Sequence, residues 1–272
     1  MEAWTHRGIT LQYLQEGSGV PLLFLHGMGG SVRQIQSVYD AIPGVSLLTM
    51  NQQGHGGSGA DWTDYSFSRL AEDALSLLDH LGIEKACFAG ISMGAAVSLA
   101  AALRAPERVL GLGLIRNAWT HEPMAKPVRD AYWHLGEALK QRSIDAFYAS
   151  AGWETVSQQS PYTRNAFLST FQDEDCLKNW QKYQLLPPQA PFQAPEELKR
   201  LHMPVVVLAN RNDFCHPFAY GGYMKEHIPG AELREIPDKD ADATGHRQSV
   251  NAALRYLLSL VYGQEKTGGE AL

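Results

Sequence analysis

The sequence has 272 residues, of which 44% are apolar, and its formal net charge is −6. This length predicts one domain with an insertion, and the lack of a basic block argues against nucleic acid as a partner. The first residues do not form a secretory signal, and no apolar run approaches the roughly 20 residues that span a bilayer. Three widely spaced cysteines, Cys87, Cys176 and Cys215, suit a reducing compartment better than a disulfide framework, so we expect a cytoplasmic protein.

Strands and helices alternate in the first part of the chain. Apolar runs and alternating patterns predict strands at residues 8–15, 21–25, 45–50, 86–89 and 109–115. Apolar residues at helical spacing predict helices at residues 32–41 and 67–81, and an Ala/Leu-rich helix follows the strand at 86–89. This alternation predicts an α/β fold with a doubly wound, mostly parallel sheet that carries helices on both faces.

The pattern changes between residues 117 and 195, where helical spacing dominates and no buried strand is predicted. We interpret this segment as a helical cap inserted into a core domain formed by residues 1–116 and 196–262. Strands are again predicted at residues 204–209 and 232–236, and helices at 218–227 and 249–262. The polar residues 263–272 are predicted to form a flexible tail.

A serine between glycines is the first candidate for chemistry. Gly90-Ile91-Ser92-Met93-Gly94 lies between a short apolar strand and a helix, which is the setting of a nucleophile elbow. Glycines two residues before and after the serine leave room for the neighbouring strand and helix. The start of the helix offers the backbone N–H of Met93 to a developing oxyanion.

Two further residues complete a catalytic constellation with Ser92. Sites in a doubly wound sheet form at the carboxyl ends of the strands, where Asp213 and the loop at residues 26–30 lie. A serine hydroxyl needs a base, and a carboxylate orients the imidazole that serves as that base. The order Ser92, Asp213, His246 therefore predicts a triad in which His246 is the base.

Other roles are open for these residues. Asp213 can instead cap the helix that follows it, and His246 can be a surface residue at a helix start. His216, which follows Asp213 closely, and His26 are the alternative bases. His26 and His55 lie in turns and are expected to be structural.

The chain resembles α/β-hydrolase-fold proteins with a helical cap over nearly its whole length. The matching segments are the HGMGG loop at 26–30, the turn at 51–58, GISMG at 90–94, APERV at 105–109, the strand that ends in Asp213, and Gly245-His246. The resemblance implies an oxyanion hole formed by the backbone N–H groups of Met28 and Met93. Serine at the nucleophile position argues against the haloalkane dehalogenases and epoxide hydrolases of this fold, which use aspartate.

One segment departs from the family pattern. Relatives often carry D-x-R-G-x-G-x-S where this chain has Asn51-Gln52-Gln53-Gly54-His55-Gly56-Gly57-Ser58. The usual Asp and Arg support the turn, so we expect altered packing without the loss of a catalytic group. Ile91 replaces a polar residue that is common beside the serine, which weakens the case for a carbon–carbon-bond hydrolase.

These features predict a serine hydrolase that forms an acyl-enzyme. The expected substrate is a small, mainly apolar ester, lactone or thioester, and no metal or organic cofactor is needed. A carbon–carbon-bond hydrolase and a cofactor-free perhydrolase are alternatives on the same residues. A ligand-binding receptor without turnover is an alternative from a different class, because one fold hosts many functions. The physiological substrate and the oligomeric state are left open by the sequence.

Overall fold

An eight-stranded sheet lies at the centre of the computed structural model, which describes residues 1–263. The strands are β1 (Glu2–His6), β2 (Ile9–Gly17), β3 (Val20–Leu25), β4 (Val45–Asn51), β5 (Ala86–Ile91), β6 (Val109–Ile115), β7 (Val205–Ala209) and β8 (Glu232–Glu235). Their order in the sheet is β1-β2-β4-β3-β5-β6-β7-β8. β1 and β2 form an antiparallel hairpin, β2 pairs antiparallel with β4, and all later pairs are parallel. The predicted mostly parallel sheet is confirmed.

Helices flank this sheet and form the region between β6 and β7. They are α1 (Val32–Val38), α2 (Phe67–His80), α3 (Met93–Arg104), α4 (Lys126–Lys140), α5 (Ile144–Tyr148), α6 (Ala151–Ser157), α7 (Pro161–Leu168), α8 (Glu174–Lys178), α9 (Lys182–Leu185), α10 (Phe218–His227) and α11 (Ala243–Tyr262). Short 3-10 helices span Pro106–Arg108, Ser169–Gln172 and Pro195–Arg200. No helix within residues 1–263 combines the length and the apolar character needed to cross a membrane.

The sheet has a separate apolar core on each face. Helices α2, α3 and α10 contribute to the core on one face, and α1 and α11 contribute to the core on the other. Strands β4, β5 and β7 are buried along their whole length because helices cover both of their faces. These uninterrupted apolar runs are the pattern from which the strands were predicted.

Helix α11 begins earlier than the sequence pattern indicated. The prediction placed its start at Ser249, but the helix starts at Ala243, and the carboxylate of Asp242 accepts a hydrogen bond from the Gly245 backbone N–H as its N-cap. His246 therefore lies in the first turn of a helix. This position in the helix decides whether the side chain can reach Ser92 as the predicted base.

The region 117–195 is helical and contains no strand in the structure. One attachment of this region to the sheet edge is the wholly buried Lys182, whose ammonium donates to the Gly54 carbonyl at 2.8 Å and to Asp175 Oδ2 at 3.2 Å. The assignment of these residues to a separate cap stays a prediction. The tail predicted at 263–272 lies, apart from Gly263, outside the described residues.

Candidate active site

Ser92 occupies the tight turn between β5 and α3. Its backbone has φ 56° and ψ −113°, a conformation that few residues other than glycine adopt. A Cβ on Gly90 would come within 2.1 Å of the Gly94 backbone, and a Cβ on Gly94 within 2.3 Å of the Leu25 carbonyl oxygen. Only glycine fits at these two positions, so the turn that presents the serine hydroxyl depends on both.

A chain of hydrogen bonds runs from Ser92 to Asp213 through His216. The distance from Ser92 Oγ to His216 Nε2 is 2.8 Å, and the distance from His216 Nδ1 to Asp213 Oδ1 is also 2.8 Å. Because the carboxylate accepts a hydrogen bond from Nδ1–H, Nε2 presents its lone pair to the serine hydroxyl. The three groups therefore have the geometry needed to remove a proton from Ser92.

The turn after β7 places the carboxylate and the imidazole together. Asp213 Oδ1 also accepts hydrogen bonds from the backbone N–H groups of Cys215 and His216, each at 3.2 Å. An aspartate that bonds to backbone groups two and three residues ahead forms a local turn of its own. This turn orients Asp213 and His216 with few long-range contacts.

Arg116 is a second partner of Asp213. Its Nε and Nη2 atoms donate to Asp213 Oδ2 at 2.8 and 2.5 Å, and both side chains are almost fully buried. Arg116 follows β6 directly and has φ 51°. The sequence reasoning missed this residue, although its position at the carboxyl end of a central strand was a usable signal.

Burial and charge together set the protonation of the site. Burial alone would raise the pKa of Asp213, but His216 and Arg116 outweigh burial and hold that pKa well below its usual range. Burial lowers the pKa of His216, Asp213 raises it and Arg116 lowers it, with a net lowering. At neutral pH the imidazole is therefore neutral and able to accept a proton.

The loop between β3 and α1 faces Ser92 and carries Met28. The Gly27 backbone N–H donates to Gln34 Oε1 at 2.7 Å, and the Gly29 backbone N–H donates to His55 Nε2 at 3.1 Å, so the loop is held on both sides of Met28. Met93 is the first residue of α3, and a backbone N–H at that position has no partner within its helix. The oxyanion-binding role of the Met28 and Met93 N–H groups stays a prediction.

A cavity of about 430 Å³ opens onto Ser92 and His216. Aromatic side chains from the 117–195 region line it, namely Tyr132, Tyr162, Phe167 and Tyr183. Polar groups from the same region, Thr163, Asn165, Ser169 and Thr170, also face it. The cavity therefore offers both apolar surface and hydrogen-bonding groups to a bound molecule.

Comparison with known proteins places the chain in a family. The family model described as alpha/beta hydrolase fold matches residues 20–242. The chain belongs to the α/β-hydrolase fold family. RutD of Pseudomonas savastanoi pv. phaseolicola, assigned as a carbamate hydrolase, is 30% identical over 257 residues, which cover 89% of this chain and 92% of that protein.

Two further comparisons cover a smaller part of the chain or have a lower sequence identity. A dihydrolipoyllysine-residue acetyltransferase component of an acetoin cleaving system from Pseudomonas putida is 34% identical over 155 residues, which cover 56% of this chain and 38% of that protein. The enol-lactonase from Burkholderia xenovorans LB400 superposes with a TM-score of 0.73 at 18% identity, covering 97% of this chain and 100% of that one. At this identity the superposition shows a shared fold.

His246, the predicted base of this α/β-hydrolase, does not lie next to Ser92 in the structure. Its Nδ1 atom is 2.8 Å from the Pro237 carbonyl oxygen, its side chain is only 3% exposed, and it does not line the cavity. Burial lowers the pKa of His246 to about 4. The expected contact with Ser92 is wrong, because the first turn of α11 fixes His246 against Pro237. His216, one of the two alternatives, takes that position.

His26 and His55 are structural in this α/β-hydrolase, as expected. His26 Nδ1 lies 2.8 Å from the Gly27 carbonyl oxygen in its own turn, and its Nε2 accepts from the Gln52 backbone N–H at 3.1 Å. His55 Nδ1 lies 2.9 Å from the Gln53 carbonyl oxygen. Both rings are fully buried beside the Met28 loop, so they support that loop without reaching the cavity.

The segment that departs from the α/β-hydrolase pattern is held by amides. Asn51 Oδ1 accepts from the Val32 backbone N–H at 3.0 Å, and Gln52 Nε2 donates to the His26 carbonyl at 2.8 Å. Gln53 Nε2 donates to Asp73 Oδ2 at 2.6 Å. These neutral groups stand where relatives often have Asp and Arg, and none of the three residues lines the cavity.

Proposed function

We propose that this α/β-hydrolase family member is a serine hydrolase that forms an acyl-enzyme on Ser92. The observation that carries the proposal is the hydrogen-bond chain from Ser92 Oγ through His216 to Asp213, with 2.8 Å at each step. A serine in this chain is activated as a nucleophile. His216, and not His246, is the base in this proposal.

The reaction then follows from the positions of the groups. Ser92 Oγ attacks the substrate carbonyl carbon while His216 Nε2 takes the serine proton, and Asp213 stabilises the resulting imidazolium. The backbone N–H groups of Met28 and Met93 bind the oxyanion. His216 returns the proton to the departing group, and the acyl-serine remains. Water then attacks the acyl carbon and gives its proton to His216, which passes that proton to Ser92 Oγ as the acid leaves.

Small esters, lactones and thioesters are the substrate class that we propose. The cavity of about 430 Å³ is large enough for a compact acyl group with its leaving group. RutD, assigned as a carbamate hydrolase, and the enol-lactonase that shares the fold carry names that refer to a carbonyl bonded to a heteroatom. That shared chemistry supports hydrolysis at a carbonyl bonded to a heteroatom.

Labelling with a fluorescent fluorophosphonate tests the proposal, because this probe reacts with activated serines. Wild type, Ser92→Ala, His216→Ala and His246→Ala would be compared after circular dichroism has confirmed that each is folded. We expect rapid labelling of wild type and of His246→Ala, and a loss of about 1,000-fold or more for the other two variants. Labelling that survives in His216→Ala and disappears in His246→Ala would overturn the choice of base. A folded wild type that is not labelled would overturn the acyl-enzyme itself.

A further inference from the structure

The loop at residues 26–30 lies directly against Ser92 because it contains glycine. A Cβ on Gly27 would come within 3.4 Å of Ser92 Cβ and within 3.3 Å of the Ile91 carbonyl oxygen, so a larger residue would press on the turn that carries the nucleophile. Glycine permits this close approach, but it also leaves the backbone with more conformational freedom than any other residue. Hydrogen bonds to other groups are therefore needed to fix the loop.

Gln34 provides such a hydrogen bond from the neighbouring helix α1. Its Oε1 accepts from the Gly27 backbone N–H at 2.7 Å, and its own backbone N–H donates to the Ser31 carbonyl at 2.9 Å. Because a backbone N–H can only donate, the oxygen of the amide and not its nitrogen faces Gly27. The same side chain lines the cavity that opens onto Ser92.

The carbonyl of Gly27 is held as firmly as its N–H. The Gly30 backbone N–H donates to this carbonyl at 2.9 Å, and His26 Nδ1 lies 2.8 Å from it. Burial lowers the pKa of His26 to about 4, so the ring is neutral at pH 7. Its Nε2 accepts from the Gln52 backbone N–H, which leaves the ring proton on Nδ1 to be donated to Gly27. Both peptide groups that flank Gly27 are thus hydrogen-bonded.

These hydrogen bonds determine the direction of the Met28 N–H. The peptide between Gly27 and Met28 is trans and planar, so the Met28 N–H points opposite to the Gly27 carbonyl. The other N–H groups after His26 in this loop are already bonded, namely those of Gly27, Gly29 and Gly30. Within residues 1–263 the Met28 N–H has no hydrogen-bond acceptor. It is therefore the donor that this loop can offer to a substrate oxygen.

We propose that Gln34 is a positioning residue, which fixes Gly27 so that the Met28 N–H is directed at the oxyanion before Ser92 attacks. Donors that are held in place beforehand cost no reorganisation at the moment of reaction. Gln34 itself transfers no proton and contacts none of the reacting atoms. The proposal rests on the acyl-enzyme function proposed above, and it assigns to α1 a part in the rate of acylation.

The test compares Gln34→Met, which keeps the length of the side chain and removes its acceptor, with Gln36→Met. Gln36 is exposed on the same helix, where its Nε2 donates to Glu16 Oε1 at 2.9 Å, so the control makes the same chemical change away from the loop. The value of kcat/KM would be measured for 4-nitrophenyl acetate and 4-nitrophenyl butyrate. We expect Gln34→Met to lose about 30-fold on both esters, which is less than the roughly 100-fold to 1,000-fold that removal of an oxyanion donor costs. Gln36→Met should match wild type.

A pair of inhibitors separates positioning from binding and from general disturbance of the fold. A trifluoromethyl ketone forms a tetrahedral adduct with an activated serine and so carries a negative oxygen, whereas the methyl ketone with the same acyl group binds without that charge. In Gln34→Met the inhibition constant of the trifluoromethyl ketone should rise by about the factor that kcat/KM loses, and that of the methyl ketone should stay constant. The acid limb of the kcat/KM profile should also stay in place, because Gln34 makes no hydrogen bond to His216 or Asp213 within residues 1–263.

The outcomes separate this proposal from the proposed function. A folded Gln34→Met with the kcat/KM of wild type would overturn the role of Gln34 and leave the acyl-enzyme intact. Equal losses of affinity for the two ketones would also overturn it, because Gln34 would then act in substrate binding. A wild type that is neither labelled by fluorophosphonate nor active on either ester would overturn the function and this proposal with it.

A second variant decides if Gln34→Met does not fold. The methyl group added by Gly30→Ala would come within 2.7 Å of Gln34 Oε1 and 3.0 Å of the Gly27 carbonyl oxygen, so it disturbs the same arrangement without replacing Gln34. We expect Gly30→Ala to weaken the trifluoromethyl ketone more than the methyl ketone. An unchanged preference for the trifluoromethyl ketone would overturn the proposal.

Discussion

Asp73 is a buried carboxylate with too few partners, and replacing it should stabilise the protein in a pH-dependent way. It lies on α2 with no solvent exposure, and Gln53 Nε2 donates to its Oδ2 at 2.6 Å. Its Oδ1 has no hydrogen-bond partner in the part of the chain that the structure describes. Burial raises the pKa of Asp73 to about 7, because the amide of Gln53 supplies no positive charge.

The size of the effect follows from the pKa. A change from 3.8 in the unfolded chain to about 7 in the folded protein corresponds to about 4 kcal/mol when the group is ionised in both states. Between these two values the folded protein binds more protons than the unfolded chain. The contribution of Asp73 is therefore most favourable below its unfolded pKa, and it declines as pH rises until the folded group has ionised. Asp73→Asn should increase stability by about 3 kcal/mol more at about pH 8 than at about pH 5.

Urea unfolding of wild type and Asp73→Asn at the two pH values measures this difference. Any packing cost of the new amide is the same at both pH values, so the difference between them isolates the ionisation. Asp64→Asn is the control, because Asp64 is exposed and its replacement should change stability by less than about 0.5 kcal/mol at either pH. The reasoning is refuted if the effect of Asp73→Asn is the same at both pH values.

Three other predictions test separate parts of the structure. Lys182→Met should lower the free energy of unfolding by about 3 kcal/mol in urea titrations, because it leaves a buried carbonyl and a carboxylate without their shared donor. Gly94→Ala should cost about 3 kcal/mol or more through the close approach to the β3 backbone, whereas Gly222→Ala, which has open space within α10, should gain about 0.5–1 kcal/mol in thermal melts. Arg116→Met should move the acid limb of the kcat/KM profile to higher pH, since a cation that lowers the pKa of His216 is removed. A stationary limb would contradict that last assignment.

The central fold was predictable because its signals are local. Strands covered on both faces are continuous apolar runs, and β5 together with the turn at Ser92 forms one contiguous sequence pattern. The start of α11 was missed by six residues, since Ala243–Arg247 lacks the apolar spacing that marks a helix. Its N-cap, Asp242, was the available signal.

Local sequence patterns could not identify which histidine is the proposed base. The order serine, aspartate, histidine is satisfied by His216 as well as by His246, so chain order alone could not choose between them. The choice depends on the backbone turn that brings His216 against Asp213 and on the contact of His246 with the Pro237 carbonyl. Neither feature has a periodic pattern in the sequence.

In the proposed mechanism the base lies three residues after the acid, which separates two tasks within the site. Asp213 Oδ1 accepts hydrogen bonds from His216 Nδ1 and from two backbone N–H groups of one short turn, so a local segment sets how the carboxylate and the imidazole are oriented. The loop before α11 is then not required to supply the base. It instead carries Lys239 and Asp240, which bind the hydroxyl and the backbone of Tyr162. Changes in this loop should therefore alter the position of Tyr162 at the cavity more than the hydrogen-bond chain of Ser92, His216 and Asp213.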